Sequence, residues 1–353
     1  RFFRYTDPVA LQKEVAFILE FDNDGKFYIQ VETKHPEFVF ADFGIYRGML
    51  VLMPNQEVEL LFPPFRKKSF ADEKNPYFEP VEFWFATGSG TQITDKISAF
   101  DKRYNQLSDK YFNYLFFRQS REIFDTVITV LDREFPAENS AILYMHKKLK
   151  LKSLETDAFR LKPGDVAGII EKVNPDLWTF PSFIEFFEKV FSNKLSFEAK
   201  TVEGNPLRKA VAEKNEKFLL NFIQNRYNLE GKFAKLVLVK LLHDSYYSGE
   251  FSRNSVLQLL KSAELHNSGS LINGISNIVV DKLEFLQKGT KAPAICLKNI
   301  DGYRICTNEF HEKYKYVILI ILVFLFSGCD NTYQQADVKK DNISLAKKII
   351  EVS

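Results

Sequence analysis

Residues 1–90 carry short apolar runs separated by Gly, Pro and Asp, and this pattern is typical of β-strands joined by turns. Two strand-like runs flank Asp24-Gly25 in VAFILEFDNDGKFYIQVE, which predicts a β-hairpin at that turn. Further strand-like runs follow in FVFADFGIYRGMLVLMP, QEVELLFPPF and EPVEFWFATGSG. We therefore expect residues 1–90 to form an antiparallel β-sandwich.

Residues 91–285 have a different periodicity, because apolar side chains return every three to four positions and so predict helices. One long helical stretch, ITDKISAFDKRYNQLSDKYFNYLFFRQSREIFDTVITVLDREF, ends before Pro136. In FPSFIEFFEKVF, an aromatic stripe of Phe183, Phe186 and Phe187 is expected to pack in the core. The pattern predicts an all-α domain over residues 91–285.

Residues 286–353 return to a strand pattern. Two short strands are predicted around Asp301-Gly302 in QKGTKAPAICLKNIDGYRICTNEF, and the apolar run YVILIILVFLF and a helix-compatible polar stretch follow. The last residues, IIEVS, resemble the start of another strand. This order predicts an α/β domain that we expect to be incomplete, because the strands that would close its sheet do not follow. The whole chain is thus expected to be an α+β multidomain protein.

Composition and charge narrow the class of protein. The chain has 353 residues, enough for two or three domains, and is 45% hydrophobic and 27% charged, as globular proteins are. Its net charge of +2 gives no strong attraction for nucleic acid, so we expect no nucleic-acid partner. No apolar run reaches the roughly 18 residues that a membrane-spanning helix needs. The chain opens with RFFRYTDP and no initiator Met, so we expect a processed start or a fragment, and membrane association only through a missing N-terminal signal or lipid anchor.

Few residues suggest a metal or a cofactor. The five histidines are scattered, and none shares zinc-ligand spacing with the three cysteines. The P-loop, the dinucleotide-binding fingerprint and the HExxH motif do not occur in the sequence. We therefore expect no metal and no cofactor. Cys296 and Cys306 lie on opposite arms of the hairpin predicted around Asp301-Gly302, near-diagonal to each other, and they form either a structural disulfide or two buried thiols.

The third segment carries an ordered set of residues that suggests a family. Ala292-Pro293 precedes the first strand, the Asp301-Gly302 turn and Phe310 follow, and Lys315-Tyr316 leads into the apolar strand that ends near Cys329. This order resembles the start of bacterial redoxin and TlpA-like envelope proteins, which have a thioredoxin-like domain. The stretches KLVLVKLLHDSYYSGEFSRNSVLQLL and GMLVLMPNQEVELLFPPF resemble the helical and β-rich front of the same proteins more loosely.

The resemblance implies a partial thioredoxin-like α/β fold over residues 286–353. It also implies thiol–disulfide exchange in the periplasm or cell envelope, with protein or small-molecule thiols and disulfides as partners. Cys329 would be the nucleophile, because it falls where the family's Cys-x-x-Cys motif begins.

The motif itself departs from the family pattern. Thr332 stands where the second, resolving cysteine would be, and Gly328 stands where the family usually has Trp. A threonine can donate a hydrogen bond to a thiolate but cannot form a disulfide, so the mixed disulfide would need another thiol to resolve it. Asp330 beside the thiol would raise the pKa of Cys329 and weaken it as a nucleophile. The site is therefore either a weak monothiol or inactive.

Two alternatives compete with the redox interpretation. Residues 313–329, KYKYVILIILVFLFSGC, have the basic start, apolar core and terminal cysteine of a bacterial lipoprotein signal. Such signals are N-terminal, so this alternative requires that a lipoprotein signal has been joined to an unrelated upstream chain. The other alternative is a non-enzymatic binding or scaffold protein of the envelope, in which the thioredoxin-like part has no redox role.

Overall fold

A computed structural model describes residues 1–88, 90, 92–136, 140–262, 265, 267, 269–285, 296–298 and 304–306. The chain divides into two compact units, Arg1–Leu283 and Glu284–Ser353. The first unit joins a five-stranded mixed sheet to a mostly helical body, so the chain is an α+β protein, as the sequence predicts. The division of the chain at residues 90 and 285 stays a prediction.

The first unit begins with the β-strands. They are β1 (Phe2–Tyr5), β2 (Lys13–Phe17), β3 (Glu37–Phe43), β4 (Tyr46–Leu52), β5 (Leu60–Leu61), β6 (Val81–Trp84) and β7 (Ala86–Thr87). The main sheet has the order β2-β1-β3-β4-β6, and β5 and β7 form a separate two-stranded ribbon. The pairs of the main sheet are antiparallel except β4–β6, which is parallel, so the sheet is mixed and not purely antiparallel as predicted.

A tight turn joins β3 to β4. Phe43 pairs with Tyr46, so Gly44 and Ile45 alone form the turn. Gly44 has a φ of +54°, and a Cβ at this position would collide with the carbonyl oxygen of Arg66. A two-residue hairpin turn with glycine at its first position has the twist that antiparallel strands need.

The hairpin predicted at Asp24-Gly25 is only half correct. The turn exists: the side chain of Asp22 accepts hydrogen bonds from the backbone N–H groups of Asp24 and Lys26, at 3.0 and 2.8 Å. The second arm is not a strand, and β2 pairs with β1 instead, with Val15 opposite Phe3. By pairing with β1, β2 becomes the edge strand of the main sheet. A separate hairpin at Asp24-Gly25 would not extend that sheet.

The helices follow the strands in the chain, apart from the short α1. They are α1 (Phe70–Lys74), α2 (Ile93–Lys110), α3 (Arg121–Glu134), α4 (Ala141–Phe159), α5 (Pro163–Ile170), α6 (Pro181–Phe191), α7 (Lys194–Ala199), α8 (Asn205–Ala212), α9 (Glu216–Tyr227), α10 (Gly231–Ser245), α11 (Arg253–Leu260) and α12 (Ser270–Glu284). The long helical stretch predicted before Pro136 is broken between α2 and α3. A π-helical turn at Asn113–Phe117 and the positive φ of Gln119, +50°, separate the two helices, and Ser120 caps α3.

Strand β3 is buried on both of its faces. On one face, Phe38 and Phe40 belong to the core of the helical body, and the rings of Phe38 and Phe180 lie 6.2 Å apart. On the other face, Val39 and Ala41 belong to a second apolar cluster, which packs against the ribbon segment. Burying one such Phe side chain stabilises a fold by about 1.5–3 kcal/mol, so this strand fixes the sheet against the helices.

The aromatic stripe of α6 lies in the core, as predicted. Phe183, Phe186 and Phe187 are at most 1% exposed. Rings of Phe183 and Phe187 lie 5.4 Å apart, and the ring of Phe187 lies 6.0 Å from that of Phe233 on α10. The stripe therefore packs helix against helix.

A partly buried carboxylate, that of Asp101 on α2, links this helix to the sheet and to α4. Trp84 at the end of β6 donates its Nε1–H to Asp101 Oδ2 at 2.9 Å, and Nε2 of His146 on α4 lies 2.7 Å from Asp101 Oδ1. Burial alone would raise the pKa of Asp101, but the hydrogen bond and charge of His146 hold it below its ordinary value. Asp101 is thus ionised in the folded protein at neutral pH.

In the second unit, the described residues after 285 are the strands β8 (Cys296–Lys298) and β9 (Arg304–Cys306). They pair antiparallel, with Leu297 opposite Ile305. The sequence predicts these two strands, and the structure confirms them. The turn residues Asp301 and Gly302 lie outside the described residues.

Replacing Asp101 with Asn should lower the free energy of unfolding at pH 7 by about 1.5–3 kcal/mol, because Trp84 and His146 lose the charge of a partly buried hydrogen-bond acceptor. The pKa of Asp101 is lower in the folded than in the unfolded state, so its contribution is complete above about pH 4 and is lost as the pH falls through the folded pKa. The stability difference between the natural chain and Asp101→Asn should therefore shrink below pH 4 in urea unfolding experiments. Asp125→Asn, at an exposed site on α3, is the control, and a difference that grows in acid would contradict the assignment.

Replacing Tyr227 with Phe should raise the free energy of unfolding by about 1 kcal/mol. The Tyr227 side chain is 2% exposed, and its hydroxyl has no hydrogen-bond partner among the described residues. The ring itself packs against Phe191 and Phe222, at 5.5 and 6.1 Å, so Tyr227→Ala should lose about 3–5 kcal/mol. Chemical denaturation of both variants is the test. A destabilised Tyr227→Phe would mean that the hydroxyl has a partner.

Candidate functional site

The first unit contains a polar cleft of about 590 Å³ between its sheet and its helical body. The loop between β1 and β2 forms one rim, and Arg47 of β4 lies beside it. The ends of α6 and α10 and Lys282 near the end of α12 complete the walls. A cavity of this size is in the range of small-molecule binding sites. The cleft is therefore the candidate functional site of this unit.

A single carboxylate shapes the loop at the rim. Asp7 is fully buried, and its Oδ1 accepts hydrogen bonds from the backbone N–H groups of Val9 and Ala10, at 2.8 and 2.5 Å. Its Oδ2 accepts another from the backbone of Gln12, at 3.2 Å. These bonds satisfy backbone donors that would otherwise need water, and they stabilise the left-handed conformation of Leu11, whose φ is +52°. The rim is thus a built loop with a fixed backbone.

A buried lysine lies in the wall of the cleft. Lys240 on α10 is 2% exposed, and its Nζ lies 2.6 Å from Glu188 Oε1 and 2.8 Å from Asp244 Oδ1. Burying an ammonium group without a partner is strongly unfavourable, so the two carboxylates allow Lys240 to be buried in its charged form. Because Glu188 belongs to α6, the pair also joins two helices.

Asp244 is the other centre of this charge cluster. Its Oδ1 also contacts Nδ1 of His243 at 3.0 Å, and its Oδ2 accepts a hydrogen bond from the backbone N–H of Asn193 at 3.0 Å. Burial would raise the pKa of Asp244, but the hydrogen bond from His243 and the charge and hydrogen bond of Lys240 hold it below its ordinary value. Both oxygens of Asp244 are therefore already occupied.

The sheet contributes the opposite wall. Arg47 donates from Nε and Nη2 to the two carboxylate oxygens of Asp42, at 2.7 and 3.2 Å, and Lys13 lies 3.5 Å from the same carboxylate. Both cations also lie over the ring of Phe40, at 4.9 and 5.0 Å from its centre. The ring of Tyr5 packs beside Phe40 with 4.9 Å between ring centres. This wall thus presents cations and an aromatic surface together.

Lys282 crosses from the last helix to the rim. Its Nζ donates to the carbonyl oxygen of Ala10 at 2.5 Å. No carboxylate lies within ion-pair distance of Lys282 in the part of the chain that the structure describes. The ammonium group is therefore held by a neutral acceptor alone.

The described residues that line the cleft include none of the sequence-predicted site residues. Cys329 and Thr332 lie outside the described residues, so their roles stay predictions. Cys296 and Cys306 are directly opposite each other on β8 and β9, not diagonal, and a disulfide with an S–S distance of 2.06 Å joins them. They are thus bonded to each other and are not two separate thiols.

The cleft itself was not predicted from the sequence. One local signal was available, because Lys240 and Asp244 stand four positions apart in KLVLVKLLHD and such pairs share a helix face. The other parts of the cleft come from positions far apart in the chain, such as Asp7, Glu188 and Lys282, and no local pattern relates them.

Among the described residues, no group of three or more His, Cys, Asp or Glu side chains is arranged to hold a metal ion. In that same part of the chain, no helix has both the length and the apolar character to span a membrane.

Replacing Lys240 with Met should lower the free energy of unfolding by about 3–5 kcal/mol, because Glu188 and Asp244 would keep their negative charges without the cation between them. Thermal or urea unfolding measures the loss. The triple variant Lys240→Met, Glu188→Gln, Asp244→Asn removes the uncompensated charges as well, so it should recover part of the lost stability. A triple variant that is less stable than Lys240→Met would contradict this account of the cluster.

Comparisons with known proteins find no matching protein-family model, no matching curated protein and no matching solved structure. The resemblance to TlpA-like proteins accordingly rests on the stretches quoted from the sequence, chiefly those of the third segment.

Proposed function

We propose that the chain is a bacterial envelope protein with two functional parts. In this proposal, the first unit binds a small ligand in its cleft, and residues 286–353 form a thioredoxin-like domain that exchanges thiols and disulfides through Cys329. The main sheet and the ribbon of β5 and β7 are the two layers of the N-terminal sandwich. The packing of Leu60 and Phe62 against the cluster that contains Val39 supports this pair of layers.

The observation that carries the redox proposal is the hairpin of β8 and β9. These strands lie where the family pattern begins, directly before the apolar run and Cys329 in the sequence. A β-hairpin followed by a buried strand, a cysteine and a helix is the order in which a thioredoxin-like domain starts. The disulfide between Cys296 and Cys306 would brace this hairpin and leave Cys329 as the one cysteine available for exchange.

The proposed reaction is exchange through one cysteine. The Cys329 thiolate attacks one sulfur of a substrate disulfide, so a new S–S bond forms to Cys329 while the substrate S–S bond breaks. The departing sulfur leaves as a thiolate and takes a proton from water. Because Thr332 cannot resolve the mixed disulfide, a small thiol of the glutathione class must attack it, which regenerates Cys329 and is itself left in a mixed disulfide with the substrate.

A second function is favoured by the cleft. The first unit has a cavity of about 590 Å³ with charged walls, and Cys329 is not one of the residues that line it. A protein that only binds a ligand in the envelope, with the last segment as a scaffold, would need this cleft and no thiol. The two functions differ in whether Cys329 matters.

Reduction of insulin disulfides by the full chain, with glutathione as the second thiol, tests the redox proposal. Cys329→Ser should abolish the activity above background, and Thr332→Cys should raise it because a resolving thiol is restored. Cys296→Ser with Cys306→Ser is the matched control and should retain activity, since neither cysteine takes part in the exchange.

If the natural chain is no more active than Cys329→Ser, the enzymatic proposal fails and the binding function remains. Mass spectrometry of the native product tests the joined-signal alternative. A continuous peptide across residues 310–333 would exclude it, and a chain that starts at an acylated Cys329 would establish it.

A further inference from the structure

We propose that the cleft binds a small organic oxyanion, a carboxylate or a phosphate ester, and that Lys282 is its anchoring cation. This inference rests on the proposed binding role of the first unit and not on the redox activity. The charged groups of the cleft that lack a partner of opposite charge among the described residues support it.

The acidic groups of the cleft already have hydrogen-bond or ion-pair partners. Asp244 accepts from Lys240, His243 and the backbone of Asn193, and Glu188 is paired with Lys240. A cationic ligand would therefore have to displace a buried lysine from its carboxylates. Displacing it would leave a buried charge unpaired, which is strongly unfavourable.

Some basic groups of the cleft lack a full partner of opposite charge among the described residues. Lys282 donates to the carbonyl oxygen of Ala10, and no carboxylate within the described ranges pairs with it. Lys13 shares Asp42 with Arg47, and its contact of 3.5 Å is the longer one, because Arg47 reaches the same carboxylate at 2.7 Å. Two ammonium groups of the cleft thus keep most of their capacity to bind an anion.

Neutral donors surround these cations. Tyr5 and Tyr247 line the cleft, and neither hydroxyl group has a hydrogen-bond partner among the residues that the structure describes. Their rings also give a flat apolar surface for the carbon skeleton of a ligand. A ligand with an oxyanion at one end and an organic body at the other matches this combination, whereas a bare inorganic ion would leave the tyrosines unused.

Lys282 is an exposed residue, and its hydrogen bond to the Ala10 carbonyl oxygen orients its ammonium group without a ligand. The buried Asp7 carboxylate sets the loop that carries the Ala10 carbonyl, and this carbonyl orients the ammonium at the rim. A cation that is already oriented loses less freedom when an anion binds, so its contribution to affinity is larger.

Isothermal titration calorimetry of the full chain, at constant ionic strength, tests the proposal. The probes are citrate for carboxylates, glucose 6-phosphate for phosphate esters, glucose as the neutral control and inorganic phosphate for a bare ion. We expect one site for citrate or glucose 6-phosphate, no binding of glucose, and weaker binding of inorganic phosphate. Whichever organic probe binds identifies the class of oxyanion.

Lys282→Gln keeps a donor for the Ala10 carbonyl but removes the charge, so it should weaken the organic anion by about tenfold or more. Lys282→Arg should retain most of the affinity. Lys232→Gln, an exposed site at the start of α10 that does not line the cleft, should have no effect. Circular dichroism establishes that each variant is folded.

The inference is wrong if neither organic anion binds, or if Lys282→Gln and Lys232→Gln have the same effect on binding. The redox proposal is tested separately, because Cys329→Ser should bind the anion as the natural chain does. An inactive chain that still binds citrate or glucose 6-phosphate through Lys282 would refute the enzyme and leave the cleft assignment intact.

Discussion

The burial of β3 on both faces is the constraint on which the first unit depends. A strand in a sheet with one solvent-exposed face alternates apolar and polar side chains. In β3, however, Phe38 and its neighbour Val39, which point to opposite faces, are both buried. The helical body must therefore cover one face while the ribbon covers the other. Strands β1 and β4 pair with β3 on either side, so its position also sets theirs. Tyr5 of β1 and Arg47 of β4 therefore lie at the edge where the helices end.

The cleft lies at this edge because two kinds of element meet there. The sheet supplies cations over an aromatic ring, and the helices supply the cluster centred on Lys240. Lys240 is paired with Glu188 and Asp244, and Arg47 and Lys13 share Asp42, whereas Lys282 has no carboxylate partner among the described residues. Lys282 and Lys13 therefore favour an anion over a cation as the proposed ligand.

Local sequence patterns predicted the elements that depend on local interactions. The strands of the first segment, the helices of the second, the buried stripe of α6 and the strands β8 and β9 follow from periodicity and turn residues. Three errors concern features that a period of two or of 3.6 does not encode. The break at Asn113–Phe117 is a local π-helical turn, and β2 pairs with β1 and not with a second arm of the Asp24-Gly25 hairpin. The parallel pair of β4 and β6 joins residues that are distant in the chain. The cleft escaped prediction for the same reason, since Asp7 and Lys282 have no meaning for binding until the fold brings them together.

The bond from Lys282 to Ala10 joins residues 272 positions apart and so spans nearly the whole first unit. The chain leaves the ribosome from its N-terminus, and the rim loop is therefore made long before the helix that completes it. A nascent chain that ends before α12 has the rim and much of the core but no anchoring cation. The cation proposed to anchor the ligand is consequently the last residue of the cleft to be synthesised.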